Sequence, residues 1–333
     1  MTSVPRLSIV VPVYCEGDHL ADSLATIRRH VAELGQTYEL VAVDDGSTDA
    51  TWGVLTQLTH QWPELRTFRL ARNFGKEFAL LAGLEASRGE AVIVMDADLQ
   101  HPPALIPELY RLWSEQGFDV VNAVKAARGD ESWLKRRFAH LYYAMFSRLS
   151  GVSIGGSSDF KLLSRRVVDI YCQLPERSTF FRGLVTWMGF RQASVPFEVA
   201  SRAGGSTRWS LVKLTVLAVD SMVSFSTIPL QIVTVLGMGF MLFAVVLGAQ
   251  TLWLKLSGQA IGGFATVILL LLIIGSVLMI ALGVIGQYVA KIFEEVKRRP
   301  RYIIGDRVDA QAAAPAIDRG RTDRTVPETG RET

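Results

Sequence analysis

Two aspartates and a glutamine directly follow a run of apolar residues in the segment VIVMDADLQHP, residues 92–102. Four apolar residues in a row are typical of a buried strand, so the acidic pair begins where this predicted strand stops. Desolvating the neighbouring charges of Asp96 and Asp98 is costly unless a cation or hydrogen-bond donors face them. Their oxygens and the amide oxygen of Gln100 suit Mg²⁺ or Mn²⁺ bridging a diphosphate. A solvated acidic turn is the alternative, because D-x-D is frequent by chance.

A second acidic pair, Asp44 and Asp45, follows another apolar run at residues 38–43. Further strands are predicted at 7–13, 65–70 and 118–124, with stretches of helical spacing between them. This alternation predicts an α/β fold with a mostly parallel sheet covered on both faces. Because ligands bind beyond the carboxyl ends of such strands, we expect both acidic pairs at one site.

Glycine-rich motifs that cradle phosphates are missing at the expected places in the sequence. No G-x-G-x-x-G follows the first predicted strand, and no G-x-x-x-x-G-K-[ST] occurs in the chain. A nucleotide held by carboxylates and a metal, without a glycine cradle, indicates a nucleotide-sugar.

The composition excludes two classes of protein. A net charge of +3 over 333 residues argues against a dedicated nucleic-acid-binding protein, which needs a strong basic excess. The two cysteines, Cys15 and Cys172, cannot build a disulfide framework, so a reducing, cytosol-facing location is expected. The N-terminal apolar run is too short for a signal peptide and is better explained as a strand.

Two long segments, residues 221–254 and 257–290, contain no Asp, Glu, Lys or Arg. A spanning helix needs about 20 apolar residues, so the segments predict a transmembrane hairpin at about 228–254 and 264–290, with a buried helical core as the alternative. Basic residues follow the second span, which by the positive-inside rule places both chain ends in the cytoplasm. They are Lys291, Lys297, Arg298, Arg299 and Arg301.

The order of several motifs resembles family 2 glycosyltransferases with the GT-A fold. The similarity rests on PVYCEG, DDGSTD, RNFGKE, DADLQHPP, GGSSDFKLLSR, RAGGSTRWSLVKL and GQYVAKIFEEVKRRPRYII, and it covers about residues 5–305. The whole order is similar to the polyprenyl-phosphate glycosyltransferases, the group that contains dolichol-phosphate mannose synthase and bacterial undecaprenyl-phosphate glucosyltransferases. Cys15 and Lys125 depart from the family pattern, where Asn and Arg are usual.

The resemblance implies roles for residues at the donor side. The metal ligands are Asp98 and Gln100, and Asp96, Asp98 and Asp159 are the implied catalytic group. Asp159 orients the acceptor or stabilises positive charge on the sugar ring; capping a turn is its structural alternative. The implied donor-binding residues are Pro12, Tyr14, Glu16, Asp45, Lys76, Ala97 and Arg208.

On the acceptor side, the resemblance implies that Lys125 and Arg128 clamp the lipid phosphate. Arg202 and Ser206 lie in a Gly-Gly loop that we interpret as a lid over the donor and acceptor phosphates. A run of basic residues follows the last predicted strand: Lys125, Arg128, Lys135, Arg136 and Arg137. Apolar residues at helical spacing behind this run predict an interfacial helix at about 132–150, with packing on the sheet as the alternative.

These patterns divide the chain into consecutive parts. We expect a catalytic GT-A domain at 1–208, a juxtamembrane amphipathic helix at 209–226, spans at 227–254 and 264–290, and a basic cytoplasmic segment at 291–305. Residues 306–333 are polar and almost free of large apolar side chains, which predicts a disordered tail.

The resemblance implies metal-dependent, inverting transfer of a sugar to undecaprenyl phosphate at the cytoplasmic face of the membrane. UDP-glucose is the first expectation for the donor, and UDP-N-acetylglucosamine, a UDP-aminoarabinose derivative and GDP-mannose are alternatives. A processive polysaccharide synthase and a non-catalytic nucleotide-sugar-binding accessory protein are the competing hypotheses. Possible partners are further copies of this chain in a homo-oligomer, a flippase and a downstream transferase.

Overall fold

A computed structural model describes residues 4–125, 157–176, 180–197, 228–258 and 263–309. Within them the strands are β1 (Leu7–Val13), β2 (Tyr38–Asp44), β3 (Leu65–Leu70), β4 (Ala91–Val94), β5 (Val120–Lys125), β6 (Ser157–Ser164), β7 (Gln192–Phe197) and β8 (Ile304–Asp309). The α-helices are α1 (Leu20–Ala32), α2 (Thr51–Gln61), α3 (Lys76–Ala86), α4 (Ile106–Gln116), α5 (Arg165–Gln173), α6 (Phe181–Trp187), α7 (Ile228–Leu256) and α8 (Phe264–Val296).

The described strands form one sheet in the order β7-β5-β6-β4-β1-β2-β3-β8. β1 to β4 are parallel, β5 and β7 are parallel to each other, and β6 and β8 run antiparallel to their neighbours. The predicted α/β class with a mostly parallel sheet is therefore confirmed.

Alternate residues of the central strand β1 pack into two separate cores. Leu7, Ile9 and Val11 join one cluster with the apolar face of α1, and Val10 joins the other with α3. A Cβ at Gly83 of α3 would lie 2.3 Å from Val10 Cγ1, so glycine lets this helix pack closely against the sheet. This packing fixes α3, whose first residue is Lys76, across the middle of the sheet.

The strand β8 corrects the predicted C-terminal boundaries. Residues 304 and 305 were assigned to the basic segment and 306–309 to the disordered tail, but residues 304 and 306–309 pair antiparallel with β3, and Gly305 lies at a shift in the register. Backbone hydrogen bonds to a sheet edge need no large apolar side chains. The pairing is supported by Arg66 of β3, which forms an ion pair with Asp309 of β8 at 3.1 Å and another with Glu39 of β2 at 2.9 Å. The remainder of the predicted tail, residues 310–333, lies outside the described residues.

Replacing Asp309 by alanine should destabilise the catalytic domain by about 1–3 kcal/mol. The Asp309 side chain is 4% exposed and that of Arg66 is 6% exposed, so the variant leaves a buried guanidinium with fewer acceptors. Thermal denaturation of the full chain in detergent measures the loss. Asp306→Ala, at an exposed position of the same strand, is the matched control and should change little. Equal melting temperatures for the two variants would contradict the role of the ion pair.

Two helices are long and apolar enough to cross a membrane. Their apolar stretches, Val233–Leu256 and Ile273–Val296, each have a mean hydropathy of 2.0 with no buried part, and the two helices contact each other. They indicate membrane association, in the order expected from the sequence. α8 extends six residues beyond the predicted span end at residue 290. The predicted interfacial helix at 132–150 and juxtamembrane helix at 209–226 lie outside the described residues.

Candidate functional site

The carboxyl ends of β1, β2 and β4 bring the two acidic pairs to one edge of the sheet. Asp44 ends β2, and Asp45 continues the pairing by donating its N–H to the Val13 carbonyl of β1 at 2.9 Å. On the other side of β1, Met95 N–H bonds to the Val10 carbonyl at 3.1 Å, and Asp96 follows directly. The predicted placement of both pairs on one rim is confirmed.

Glu16 shares this edge with Asp96 and Asp98. Burial and the negative charges of Asp98 and Asp96 raise the pKa of the Glu16 carboxyl to about 7, although Lys76 opposes the shift. The edge therefore carries an excess of negative charge that a cationic ligand would relieve.

Lys76 bridges two carboxylates of different strands. Its Nζ lies 2.6 Å from Asp96 Oδ1 and 2.8 Å from Asp159 Oδ2. Burial lowers the pKa of Lys76, but the two carboxylates outweigh that effect and raise it, so the ammonium form is held. Lys76 thus connects Asp96, after β4, with Asp159, the third residue of β6.

Asp45 holds the loop that delivers Lys76. Its Oδ1 accepts the Phe74 N–H at 2.7 Å and its Oδ2 accepts the Gly75 N–H at 2.8 Å. Gly75 has φ +104°, which only glycine adopts readily, and α3 begins at the next residue. Both carboxylate oxygens of Asp45 thus fix the loop, whereas the donor contact expected for Asp45 is still a prediction.

Asp159 is held by two cations. Arg182 Nε donates to its Oδ1 at 2.5 Å, Arg182 Nη2 donates to its Oδ2 at 2.8 Å, and Lys76 adds the contact described above. Burial raises the pKa of Asp159, but the hydrogen bonds and charges of Arg182 and Lys76 outweigh burial and hold it well below the usual range. Asp159 is therefore an ionised carboxylate, and it does not cap a turn through its own backbone among the described contacts.

Three charged residues near Asp159 were missed by the sequence reasoning. Arg182 is the second residue of α6 and lies in a stretch without a recognisable motif. Glu77 and Lys161 lie inside the motifs RNFGKE and GGSSDFKLLSR, but no role was assigned to them. Lys161 is 0% exposed, burial lowers its pKa to about 8, and its Nζ lies 5.2 Å from the Phe181 ring centroid. All three interact electrostatically with Asp159.

Glu77 should make the stability of the catalytic domain fall as pH rises. Its Oε2 accepts the Phe181 N–H at 3.0 Å, while burial and the charge of Asp159 raise its pKa to about 7. A carboxyl with a raised folded-state pKa binds its proton more tightly in the folded state, so stability is lost between about pH 4.5 and pH 7, by about 3 kcal/mol.

Melting temperatures of Glu77→Gln measured from pH 5 to pH 8 should show a flatter profile than those of the unchanged chain. Glu115→Gln, at an exposed position of α4, serves as control and should keep the original slope. A Glu77→Gln profile with the original slope would show that another group is responsible.

The loop after β4 fits a divalent cation. Asp98 is exposed, its Oδ1 accepts the Gln100 N–H at 3.1 Å, and Leu99 between them has φ +53°, a conformation rare for leucine. No cationic side chain pairs with Asp98 among the described residues. The same residues contain no group of three or more His, Cys, Asp or Glu side chains suited to a metal, so a hard cation here would complete its shell with phosphate and water oxygens.

The remaining predicted donor residues surround this edge. Pro12 and Ala97 are buried, and Tyr14 is 47% exposed at the rim. Cys15 donates its N–H to Ser47 Oγ at 2.9 Å with φ +52°, which fixes the turn after β1. These positions agree with a shared site, while their individual roles are still predictions.

The predicted acceptor residues are mostly beyond the described ranges. Lys125 is the last residue of β5. Arg128, Arg202, Ser206 and Arg208 lie outside the described residues, and their roles are still predictions.

Comparisons with known proteins match different lengths of the chain. The family model described as Glycosyl transferase family 2 matches residues 8–171. An uncharacterized glycosyltransferase of Synechocystis is 39% identical over 90% of this chain and 95% of its own length. A prophage bactoprenol glucosyl transferase homolog of Escherichia coli is 36% identical over 90% of this chain and 98% of its own. Glucosyl-3-phosphoglycerate synthase from Mycobacterium tuberculosis, solved with UDP, is 20% identical over 66% of this chain and 79% of that chain, with a TM-score of 0.45.

Proposed function

The chain belongs to glycosyl transferase family 2, and from this premise we propose that it transfers a sugar from a nucleotide-sugar to a polyprenyl phosphate. One arrangement supports the proposal above all. An exposed carboxylate, Asp98, lies at the strand edge with the Lys76 ammonium, which bridges Asp96 to the ionised Asp159. A relative named for bactoprenol aligns with 90% of this chain, which points to a lipid acceptor.

The donor site is formed by the edge that follows β1, β2 and β4. Asp98 and Gln100 would hold Mg²⁺ or Mn²⁺, and a divalent ion there would neutralise the departing diphosphate as a Lewis acid. Pro12, Tyr14, Glu16, Asp45 and Ala97 would contact the base and ribose. Lys76 would add its charge to the diphosphate, and Arg208 would assist from its loop.

The acceptor needs positioning more than activation. A phosphate monoester has a second pKa near 6, so it is mostly dianionic at neutral pH and requires no strong general base. Lys125, Arg128, Arg202 and Ser206 would hold this phosphate on the face of the sugar opposite the leaving group, which gives inversion. Asp159, ionised beside Lys76, would orient the acceptor or stabilise positive charge on the sugar ring.

Glucose from UDP-glucose is the first sugar to test, because relatives carry the name bactoprenol glucosyl transferase. UDP-N-acetylglucosamine, a UDP-aminoarabinose derivative and GDP-mannose are the other donors. The proposed location is the cytoplasmic membrane, with both termini and the catalytic domain in the cytoplasm. A flippase and a downstream transferase would act on the product.

The decisive assay uses the purified full chain in detergent with Mg²⁺ or Mn²⁺, undecaprenyl phosphate and each labelled nucleotide-sugar in turn. We expect label in an organic-extractable product that requires both the lipid and the metal. Long polymers formed without lipid would instead show a processive synthase. Nucleotide binding without turnover for every donor would show an accessory protein.

A further inference from the structure

A cavity of about 540 Å³ lies where α8 ends and the chain turns back toward β8. It is lined by Pro175 and Pro300, by Glu295, and by Arg298, Arg299 and Arg301. Its volume is that of a site for a small molecule or a lipid headgroup. None of these residues belongs to the donor and acceptor groups assigned above.

Cations outnumber anions in this lining. Three arginines face Glu295, and a further carboxyl, Glu176, lies close to Glu295, since burial and the charge of Glu295 raise the pKa of Glu176. Arg301 is fixed in place, because its guanidinium donates to the Leu174 carbonyl at 2.9 Å and to the Cys172 carbonyl at 3.2 Å. The cavity therefore suits an anion, which would bind guanidinium groups that are already held in position.

Arg298 stands in a backbone conformation that favours glycine. It directly follows Lys297 at the end of α8 and has φ +47°, in the left-handed region where helix ends commonly carry glycine. The Arg298 side chain makes no hydrogen bond or ion pair among the described residues. The positive-inside rule accounts for basic charge here, but it does not account for an arginine at a position where the backbone favours glycine.

The position of the cavity along α8 matches the height of lipid headgroups. The uncharged part of α8 ends at Ala290, and the helix continues for six residues, about 9 Å, so Arg298 and Arg299 just after its end lie beyond the hydrocarbon, on the side of the headgroups. The last carbonyls of the helix repel an anion, and the arginines supply the charge that compensates.

The cavity is separate from the proposed site of transfer. Arg301 lies 3.6 Å from Glu85 near the end of α3, whereas Lys76 begins that helix. Nine residues of helix span about 13 Å, so an anion bound beside Arg301 does not share the position of the reacting phosphate.

We propose that this cavity binds the phosphodiester headgroup of an anionic membrane phospholipid. Arg298 and Arg299 at the end of α8 and Arg301, anchored to the catalytic domain, would grip one phosphate between them. The bound lipid would hold the domain at a fixed angle to the membrane. The inference rests on the membrane location of α7 and α8 and is independent of the sugar transferred.

Binding of dihexanoyl phosphatidylglycerol, below its micelle concentration, to the full chain in neutral detergent tests the proposal by calorimetry. Arg298→Gly and Arg299→Gln should each lower the association constant about five-fold. Arg298→Gly should also raise the melting temperature, because glycine relieves the left-handed backbone, so lost binding would not reflect unfolding. Lys297→Gln removes an equal charge one residue away and outside the lining, and should change binding less than two-fold.

Three outcomes would overturn the inference. One is equal binding of dihexanoyl phosphatidylcholine, which would show that the cavity does not distinguish an anionic headgroup from a zwitterionic one. Another is an equal loss of binding in Lys297→Gln, which would show that the arginines act only through nonspecific electrostatic attraction. The third is tighter binding of inorganic phosphate or farnesyl phosphate, which would assign the cavity to a phosphate monoester. All three can be measured whether or not sugar transfer is observed.

Discussion

Replacing Asp98 by alanine is expected to lower kcat/KM for sugar transfer by about a thousand-fold. Asp98 is the exposed carboxylate after β4, and its Oδ1 accepts the Gln100 backbone N–H at 3.1 Å. The variant removes the anionic oxygens proposed to hold the divalent ion against the leaving diphosphate. Initial rates with saturating undecaprenyl phosphate and varied nucleotide-sugar measure the loss.

The control for this variant is Asp22→Ala, which removes an exposed carboxylate from the first turn of α1. Its rate should stay within about two-fold, because charge at a helix start contributes about 0.3–1 kcal/mol to stability and none to transfer. Undiminished turnover of Asp98→Ala would remove the metal-binding role from this residue.

Replacing Asp159 by asparagine should lower kcat by about a thousand-fold and also destabilise the fold. The change leaves Arg182 and Lys76 facing each other without the carboxylate that separates them. The depressed pKa of Asp159 sets the pH dependence of the loss: its contribution to stability is present above about pH 4 and disappears as pH falls toward the folded-state pKa. The difference between the melting temperatures of the two chains should therefore be constant from pH 8 to about pH 5 and begin to narrow as the pH falls toward 3.

Arg182→Gln separates a direct role of Asp159 from an anchoring role. If Asp159 contacts the acceptor or the sugar, the loss of Arg182 only loosens that carboxylate, and kcat should fall about ten-fold. If Asp159 only anchors its neighbours, Arg182→Gln should cost as much as Asp159→Asn. Equal losses in kcat would thus contradict the catalytic assignment.

The acidic edge was predictable because its signals are local. Apolar runs fixed the bounds of β3 and nearly those of β2, and acidic residues directly after β2 and β4 marked one side of a parallel sheet. The apolar helices α7 and α8 were equally predictable from the sequence, because their length and lack of charge are properties of consecutive residues.

Contacts between distant residues left no such signal. Arg182 is 23 residues from Asp159, and no pattern in the intervening sequence joins them. The polar segment that becomes β8 pairs with β3 through backbone groups, and its ion pair to Arg66 spans 243 positions of the chain. Backbone pairing at an edge requires little of the side chains, so composition alone predicted disorder there.

The order of the chain gives β8 a consequence for biosynthesis. This strand is translated after both apolar helices, although it completes a sheet whose other strands precede them. During synthesis the β3 edge therefore stays open until both apolar helices have been translated. Sheet assembly finishes only after that point, and a nascent chain arrested before β8 would expose an unpaired edge to chaperones and proteases.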